Sequence, residues 1–177
     1  MAYYWFPDTT VLCNFAAVSE LTLLARILRG RGRWTEAIAY EVSRSAKVYP
    51  ELNTIASDGW LGEPIEIDND DEIEQIERVR CAVFGGTVHE PLKHLGEAQT
   101  CYVILNRPEF RGSYWITDDR DAREYAQFQG ITTLDTADLL AEGVIENCCG
   151  TSEALRLLRR MQQEGRNVRI PRDLGQR

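Results

Sequence analysis

The 177-residue chain has only two histidines, His89 and His94, and its five cysteines (Cys13, Cys81, Cys101, Cys148, Cys149) contain no Cys-x-x-Cys pair. A structural zinc site needs nitrogen and sulfur ligands at recurring spacings, so zinc is not expected. An odd number of thiols without a framework spacing argues against a disulfide scaffold, and the cysteines are expected as small packing residues in a reducing compartment. No apolar run approaches the roughly 20 residues that span a bilayer. The start, Met1-Ala2-Tyr3-Tyr4-Trp5-Phe6, lacks the basic segment and small-residue cleavage site of a secretory signal. A cytoplasmic location with no membrane partner is therefore expected. Internal repeats and low-complexity segments are also missing.

Positive charge is in deficit. Lys and Arg total 20 against 28 for Asp and Glu, a net charge of −8, and this argues against a phosphate backbone as partner, because that contact rests on cations. The charge is unevenly placed, however. Glu63, Glu66, Asp68, Asp70, Asp71, Glu72, Glu74 and Glu77 form a stretch with no basic residue. Arginines gather at Arg26, Arg29, Arg31 and Arg33, and again at Arg156, Arg159, Arg160, Arg166, Arg169, Arg172 and Arg177. A charge run is more often a solvated face than a binding site. The 44% apolar and 27% charged content is that of an ordinary globular chain, long enough for one well-buried core.

Residues 3–7 are aromatic and read as a first strand ending at Asp8, with the aromatics as core. Apolar residues from Val11 through Leu28 recur at helical steps, predicting one amphipathic helix closed by Gly30 and Gly32. Thr35 caps a second helix. A short helix around Leu52 and Ile55 follows, then an edge strand over 60–67 interrupted by Gly62 and Pro64. Residues 70–84 predict an acidic helix with Ile73, Ile76, Val79 (or Arg80) and Val83 inward. Helices are predicted over 97–106, 119–129, 136–141 and 151–164, and strands over 114–117 and 131–134. Residues 1–165 form the expected single domain, and 166–177 a polar, flexible tail. Strands alternating with helices predict a parallel sheet covered on both faces.

The stretch Trp115-Ile116-Thr117-Asp118-Asp119-Arg120-Asp121-Ala122-Arg123 places three carboxylates where a strand breaks into a helix. Such a cluster is solvated, caps the helix, or holds a cation. Asp8 ends the first strand, and functional residues of parallel sheets gather at that edge. Glu41 falls beside Ile38 and Val42 on a core-facing stripe, and Glu97 opens its helix. Singly, Asp8 reads as a turn residue, Asp119 as a cap and Glu97 as a dipole partner. Together, four or five carboxylates converging on one edge would be resolved by Mg²⁺ or Mn²⁺. Phosphodiester hydrolysis is the chemistry such a site supports, with Thr9 or Thr117 positioning a water or a carboxylate.

Asp8-Thr9-Thr10-Val11-Leu12-x-Asn14-Phe15, Glu41, Leu95-Gly96-Glu97-Ala98, Thr117-Asp118-Asp119-Arg120-x-Ala122-Arg123, Gly130-Ile131 and the pattern from Ala137 to Ile145 resemble the PIN domain nucleases, in particular the VapC-like toxins of bacteria and archaea. The resemblance runs from about Tyr3 to Ile145. It implies a three-layer α/β/α sandwich with a short central parallel sheet, and a Mg²⁺- or Mn²⁺-dependent endoribonuclease acting on RNA. Asp8, Glu41, Glu97 and Asp119 would then be the catalytic, metal-binding acids, with Asp118 or Asp121 auxiliary and Thr9 and Thr117 supporting them. Relatives of this kind are homodimers silenced by an antitoxin protein. Gln99 stands where relatives often carry a further acid, and the acidic segment 63–77 suits no nucleic-acid face. A degenerate scaffold binding RNA or a protein through its arginines is the alternative. A response-regulator phosphoacceptor fits poorly, because Asp8 is single and no Lys follows Lys93. His89 and His94 are expected in loops.

Overall fold

The computed structural model describes residues 3–174. Its centre is a small parallel sheet of β1 (Trp5–Pro7), β2 (Tyr114–Ile116) and β3 (Thr132–Leu134), with β2 in the middle. Pro7, Ile116 and Leu134 are register partners across the three strands. The ladder runs one step further, since the Asp8 N–H donates to Ile116 O (2.8 Å) and the Thr117 N–H to Leu134 O (2.9 Å). Beyond β1 the chain continues the sheet only by an isolated bridge, Trp5 to Gly32. A side chain at Gly32 would meet Leu61 Cδ2 at 2.5 Å, so the close approach there requires glycine.

Successive strand residues point to opposite faces, and the two faces have separate cores. Trp5 and Ile116 pack into one with Leu12, Phe15, Leu24, Leu28, Leu140, Leu157 and Leu158. This layer is built by α1 (Thr9–Ala16), α2 (Leu21–Leu28), α8 (Thr136–Ile145) and α9 (Thr151–Gln163). It also takes Ile38 and Val42 of α3 (Glu36–Ser45), and Leu52 and Ile55 from a 3₁₀ turn leading into α4 (Asn53–Asp58). Phe6 and Trp115 face the other way, against Ile76, Cys101, Ile104, Phe110 and Ala126. That layer is α5 (Asp70–Ala82), α6 (Leu95–Asn106) and α7 (Arg120–Phe128). The result is the expected three-layer α/β/α arrangement, rich in helix.

Four expectations are corrected. The single helix over Val11–Leu28 is two, because Ser19 takes a left-handed turn (φ 58°) between α1 and α2. Residues 60–67 contribute no strand. Ile65 makes one bridge with Thr35, and Gly62 at φ 69° turns the chain before it. Ile73 of α5 and Val83, its C-cap, are exposed rather than inward, and of the alternatives Val79 and Arg80 it is Arg80 that is fully buried. Of the tail expected over 166–177, residues 166–174 seat Val168 and Leu174 in the first core, and 175–177 lie outside the described residues. A Schellman turn sets their course: the Gly165 N–H donates to Gln162 O (3.0 Å) and the Arg166 N–H to Met161 O (2.9 Å), with Gly165 at φ 78°.

Arg80 sits inside because its partners come to it. Its Nε and Nη2 grip both oxygens of Glu77 (2.7 and 2.6 Å), Nη2 donates to Thr87 O (3.0 Å), and Nη1 donates to Glu90 O and Lys93 O (3.0 and 3.1 Å). One guanidinium thereby folds the loop between α5 and α6. Arg80→Met would keep the bulk and strand three carbonyls, so we expect a loss of about 3 kcal/mol in urea denaturation. A loss below the scatter of surface substitutions would show that the loop holds without it.

Candidate functional site

The register brings Asp8, Thr117 and Asp135 into a row at the carboxyl edge of the sheet, each one residue beyond its strand. Asp8 is the N-cap residue of α1 and is buried. Thr10 Oγ1 donates to Asp8 Oδ2 at 2.8 Å, and Thr117 Oγ1 lies 3.4 Å from the same oxygen. Glu41 of α3 is held by Thr9 Oγ1, which donates to Oε2 at 2.6 Å. Glu97, in the first turn of α6, faces the His94 ring at 3.1 Å from Oε1 to Nδ1.

Asp8, Glu41 and Glu97 form one electrostatic unit. Burial, then the charges of Glu97 and Glu41, pushes the Asp8 carboxyl up to about 7. Burial and Glu97 likewise raise Glu41 above the ordinary carboxylate range. Neither Asp8 nor Glu41 has a Lys or Arg partner among the described residues. Gly96 makes the approach of α3 to α6 feasible: a Cβ there would meet Ile38 Cδ1 at 2.5 Å and Glu41 Oε1 at 2.9 Å.

Asp118 goes elsewhere. Its Oδ2 accepts from Asn14 Nδ2 (2.8 Å) and Thr136 Oγ1 (2.5 Å), and its Oδ1 from the Thr136 N–H (3.0 Å). Both oxygens are occupied in clamping α1, β2 and α8 together. Burial raises this carboxyl also, against the opposing pull of Thr136. Asp119 is exposed and caps α7, with Oδ1 accepting from the Ala122 N–H at 2.8 Å. Its own N–H is held by Thr117 Oγ1 at 3.2 Å, on the hydroxyl that faces Asp8. Asp121 is exposed in the first turn of α7. Thus three of the six acids expected at the site are electrostatically joined, Asp118 is committed to the fold, and Asp119 and Asp121 lie toward solvent.

Sequence reasoning passed over Asn14, Asp135, Thr136 and the final segment. Asp135 is buried and caps α8 in a reciprocal box with Asp138. Arg169 grips it at 2.7 and 3.0 Å, and Arg123 at 3.3 Å. Burial works to raise its carboxyl, but the hydrogen bonds of Arg169 and the Asp138 N–H carry it below the usual range. The signal was present: Asp135-Thr136-x-Asp138 follows a strand just as Asp8-Thr9-Thr10 does.

Among the described residues, no three His, Cys, Asp or Glu side chains stand close enough, as placed, to grip a metal ion. The chemistry of Asp8, Glu41 and Glu97 nonetheless fits a hard divalent cation. All donors are oxygens, the acids repel one another, and Asp8 is driven toward the neutral form by burial and by the charges of Glu97 and Glu41.

The raised Asp8 carboxyl has a consequence for stability. The folded chain binds this proton more tightly than the unfolded chain, whose Asp titrates near its ordinary 3.8. The contribution of Asp8 to stability is therefore greatest below about 3.8 and is lost as pH rises from there through about 7. Asp8→Asn removes the penalty, so in metal-free buffer it should melt higher than the parent at pH 8. The gain is on the order of a few kcal/mol and should vanish toward pH 4. Parallel pH profiles for the two proteins would refute the assigned burial.

Comparison with known proteins supports the same fold. The family model DUF3368, described as a PIN domain, matches residues 5–177. No curated protein and no solved structure matched the chain. The match extends through the packed final segment as well as the sheet, its edge acids and both helical layers. The chain belongs to the PIN-domain family.

Proposed function

We propose that the protein is a Mg²⁺- or Mn²⁺-dependent endoribonuclease. PIN domains are generally nucleases that use divalent metal ions, which supports hydrolysis of nucleic acid. The observation that carries the metal dependence is the trio of Asp8, Glu41 and Glu97, which among the described residues has no Lys or Arg partner. Three carboxylates without a cation would repel a phosphodiester, and with one they would attract it. Asp8, Glu41 and Glu97 would hold the metal, with Asp119 reaching in after a change of rotamer from its capping bond.

When bound, the ion supplies Lewis-acid polarisation of a phosphoryl oxygen and lowers the pKa of water. The chain's own part is positioning. Thr9 fixes the rotamer of Glu41, Thr10 and Thr117 hold one oxygen of Asp8, and His94 orients Glu97. Hydrolysis adds water to phosphorus as the bond to the leaving oxygen breaks, a proton of the water passing to that oxygen.

RNA as substrate, homodimerisation and a role as toxin controlled by an antitoxin protein belong to the same proposal. Their support is the likeness of residues 117–123 and 137–145 to VapC-like toxins. No helix among the described residues is long and apolar enough to cross a membrane. A catalytically silent scaffold is disfavoured by the intact trio.

Three substitutions test the site. Asp8→Asn, Glu41→Gln and Glu97→Gln should each abolish Mn²⁺-dependent cleavage of single-stranded RNA, and calorimetry should show Mn²⁺ affinity falling with them. Thr9→Val should cost about 10–100-fold, as loss of a ligand's supporting hydrogen bond does. Undiminished Mn²⁺ binding by Asp8→Asn would overturn the metal assignment. Gly96→Ala is a separate probe. The favourable helix propensity of alanine, worth about 1 kcal/mol, offsets the crowding of Ile38, so stability should hold while the displaced Glu41 lowers the rate.

A further inference from the structure

We infer that Arg166, brought back by the turn after α9, is the residue that anchors a phosphate of the nucleic-acid substrate beside the acid trio. The inference rests on the nuclease reading above and adds a substrate contact to it.

Arg166 Nε donates to Asn14 Oδ1 at 2.7 Å, Nη2 donates to Thr10 O at 3.4 Å, and the guanidinium lies 6.0 Å from the Tyr49 ring centroid. All three partners are neutral. Among the described residues no carboxylate pairs with it, and Nη1 has no acceptor. Other arginines near the sheet edge differ, since Arg123 and Arg169 are both engaged by Asp135 and Asp138. Arg166 is thus a preorganised cation whose charge is not cancelled within the fold.

Its position ties it to the site. Thr10, whose carbonyl it contacts, gives its hydroxyl to Asp8 Oδ2. Asn14, its other partner, gives its amide to Asp118 and Thr136. The Cys13 thiol, one turn into α1, feels Arg166 as well as Asp8 and Glu41. A polynucleotide approaching the acids needs one phosphate anchored by a cation while its neighbour meets the metal. Arginine's planar fork suits that contact, and here two of its edges are already fixed, so little rotamer entropy remains to be lost. The Schellman turn at Gly165 makes the placement a property of the backbone.

Cleavage kinetics of a single-stranded RNA oligonucleotide with Mn²⁺, run on the full chain over a range of NaCl concentrations, test this. Arg166→Gln keeps an N–H for Asn14 and loses the charge. It should raise KM about tenfold, with kcat nearly unchanged. The slope of log(kcat/KM) against log salt should shrink by about 0.7, the share of one phosphate contact on a single strand. Arg166→Lys should restore the slope, and both variants should melt with the parent. If the parent cuts and Arg166→Gln matches its KM and slope, the inference fails and the nuclease reading stands. A fall in kcat that lysine does not rescue would make Arg166 a support for Asn14 and Asp118, and also overturns it. If the parent neither cuts nor binds the RNA, both fall together.

Discussion

The fold depends on one register. Nine strand residues carry the whole sheet, and the pairing of Pro7, Ile116 and Leu134 decides everything beyond them. It sends Trp5 and Ile116 to one core and Phe6 and Trp115 to the other, and it aligns Asp8, Thr117 and Asp135 at the edge. A one-residue slip of β2 would exchange its faces and carry Thr117 away from Asp8. So short a ladder supplies little on its own. The stitching comes from the junctions, where Asp118 accepts three hydrogen bonds from α1 and α8.

Those junction acids divide by what neutralises them. Asp135 has two arginines and a capping box, and Asp118 has a hydroxyl, an amide and a backbone N–H. Asp135 is answered by cations, whereas Asp118 has all its hydrogen bonds committed to holding α1, β2 and α8 together, although burial still raises its carboxyl. Asp8 and Glu41 receive hydroxyls, which orient a carboxylate without cancelling its charge, and Glu97 faces the His94 imidazole. The difference is chemical rather than positional, because all five lie along the same margin of the molecule.

The short buried strands ending at Asp8 and Thr117, the caps at Thr35 and Asp119, and the carboxyl-edge position of Asp8 were all legible in the sequence, since each is a local pattern of residue types or offsets. Three features were not. The break at Ser19 is invisible because the apolar spacing continues across it, and only tertiary packing requires the left-handed turn. The sequence offers Arg80 as an inward alternative to Val79, but what would satisfy a buried guanidinium is invisible until the loop carbonyls that enclose it are in place. The final segment reads as polar because its arginines outnumber its apolar residues, yet Val168 and Leu174 suffice to seat it. Asp118 and Asp119 are adjacent in sequence and diverge in role because the chain turns between them, one inward to Thr136 and one outward to cap α7.

The placement of arginine sharpens the case for an external cation at the trio. The fold can neutralise a buried aspartate at this edge, as Asp135 shows, with Arg123 and Arg169 supplied from two separate elements. At Asp8, one strand over from β2 on the other side, no such residue is applied, and Gly96 even removes a side chain so that Glu41 can stand beside α6. Crowding three acids this way is unfavourable in the bare protein, as the raised Asp8 and Glu41 carboxyls record. A sequence that needed only a stable sheet edge would repeat the Asp135 solution. The arrangement becomes favourable when a divalent ion sits among the carboxylates, where the repulsion that raises Asp8 turns into affinity.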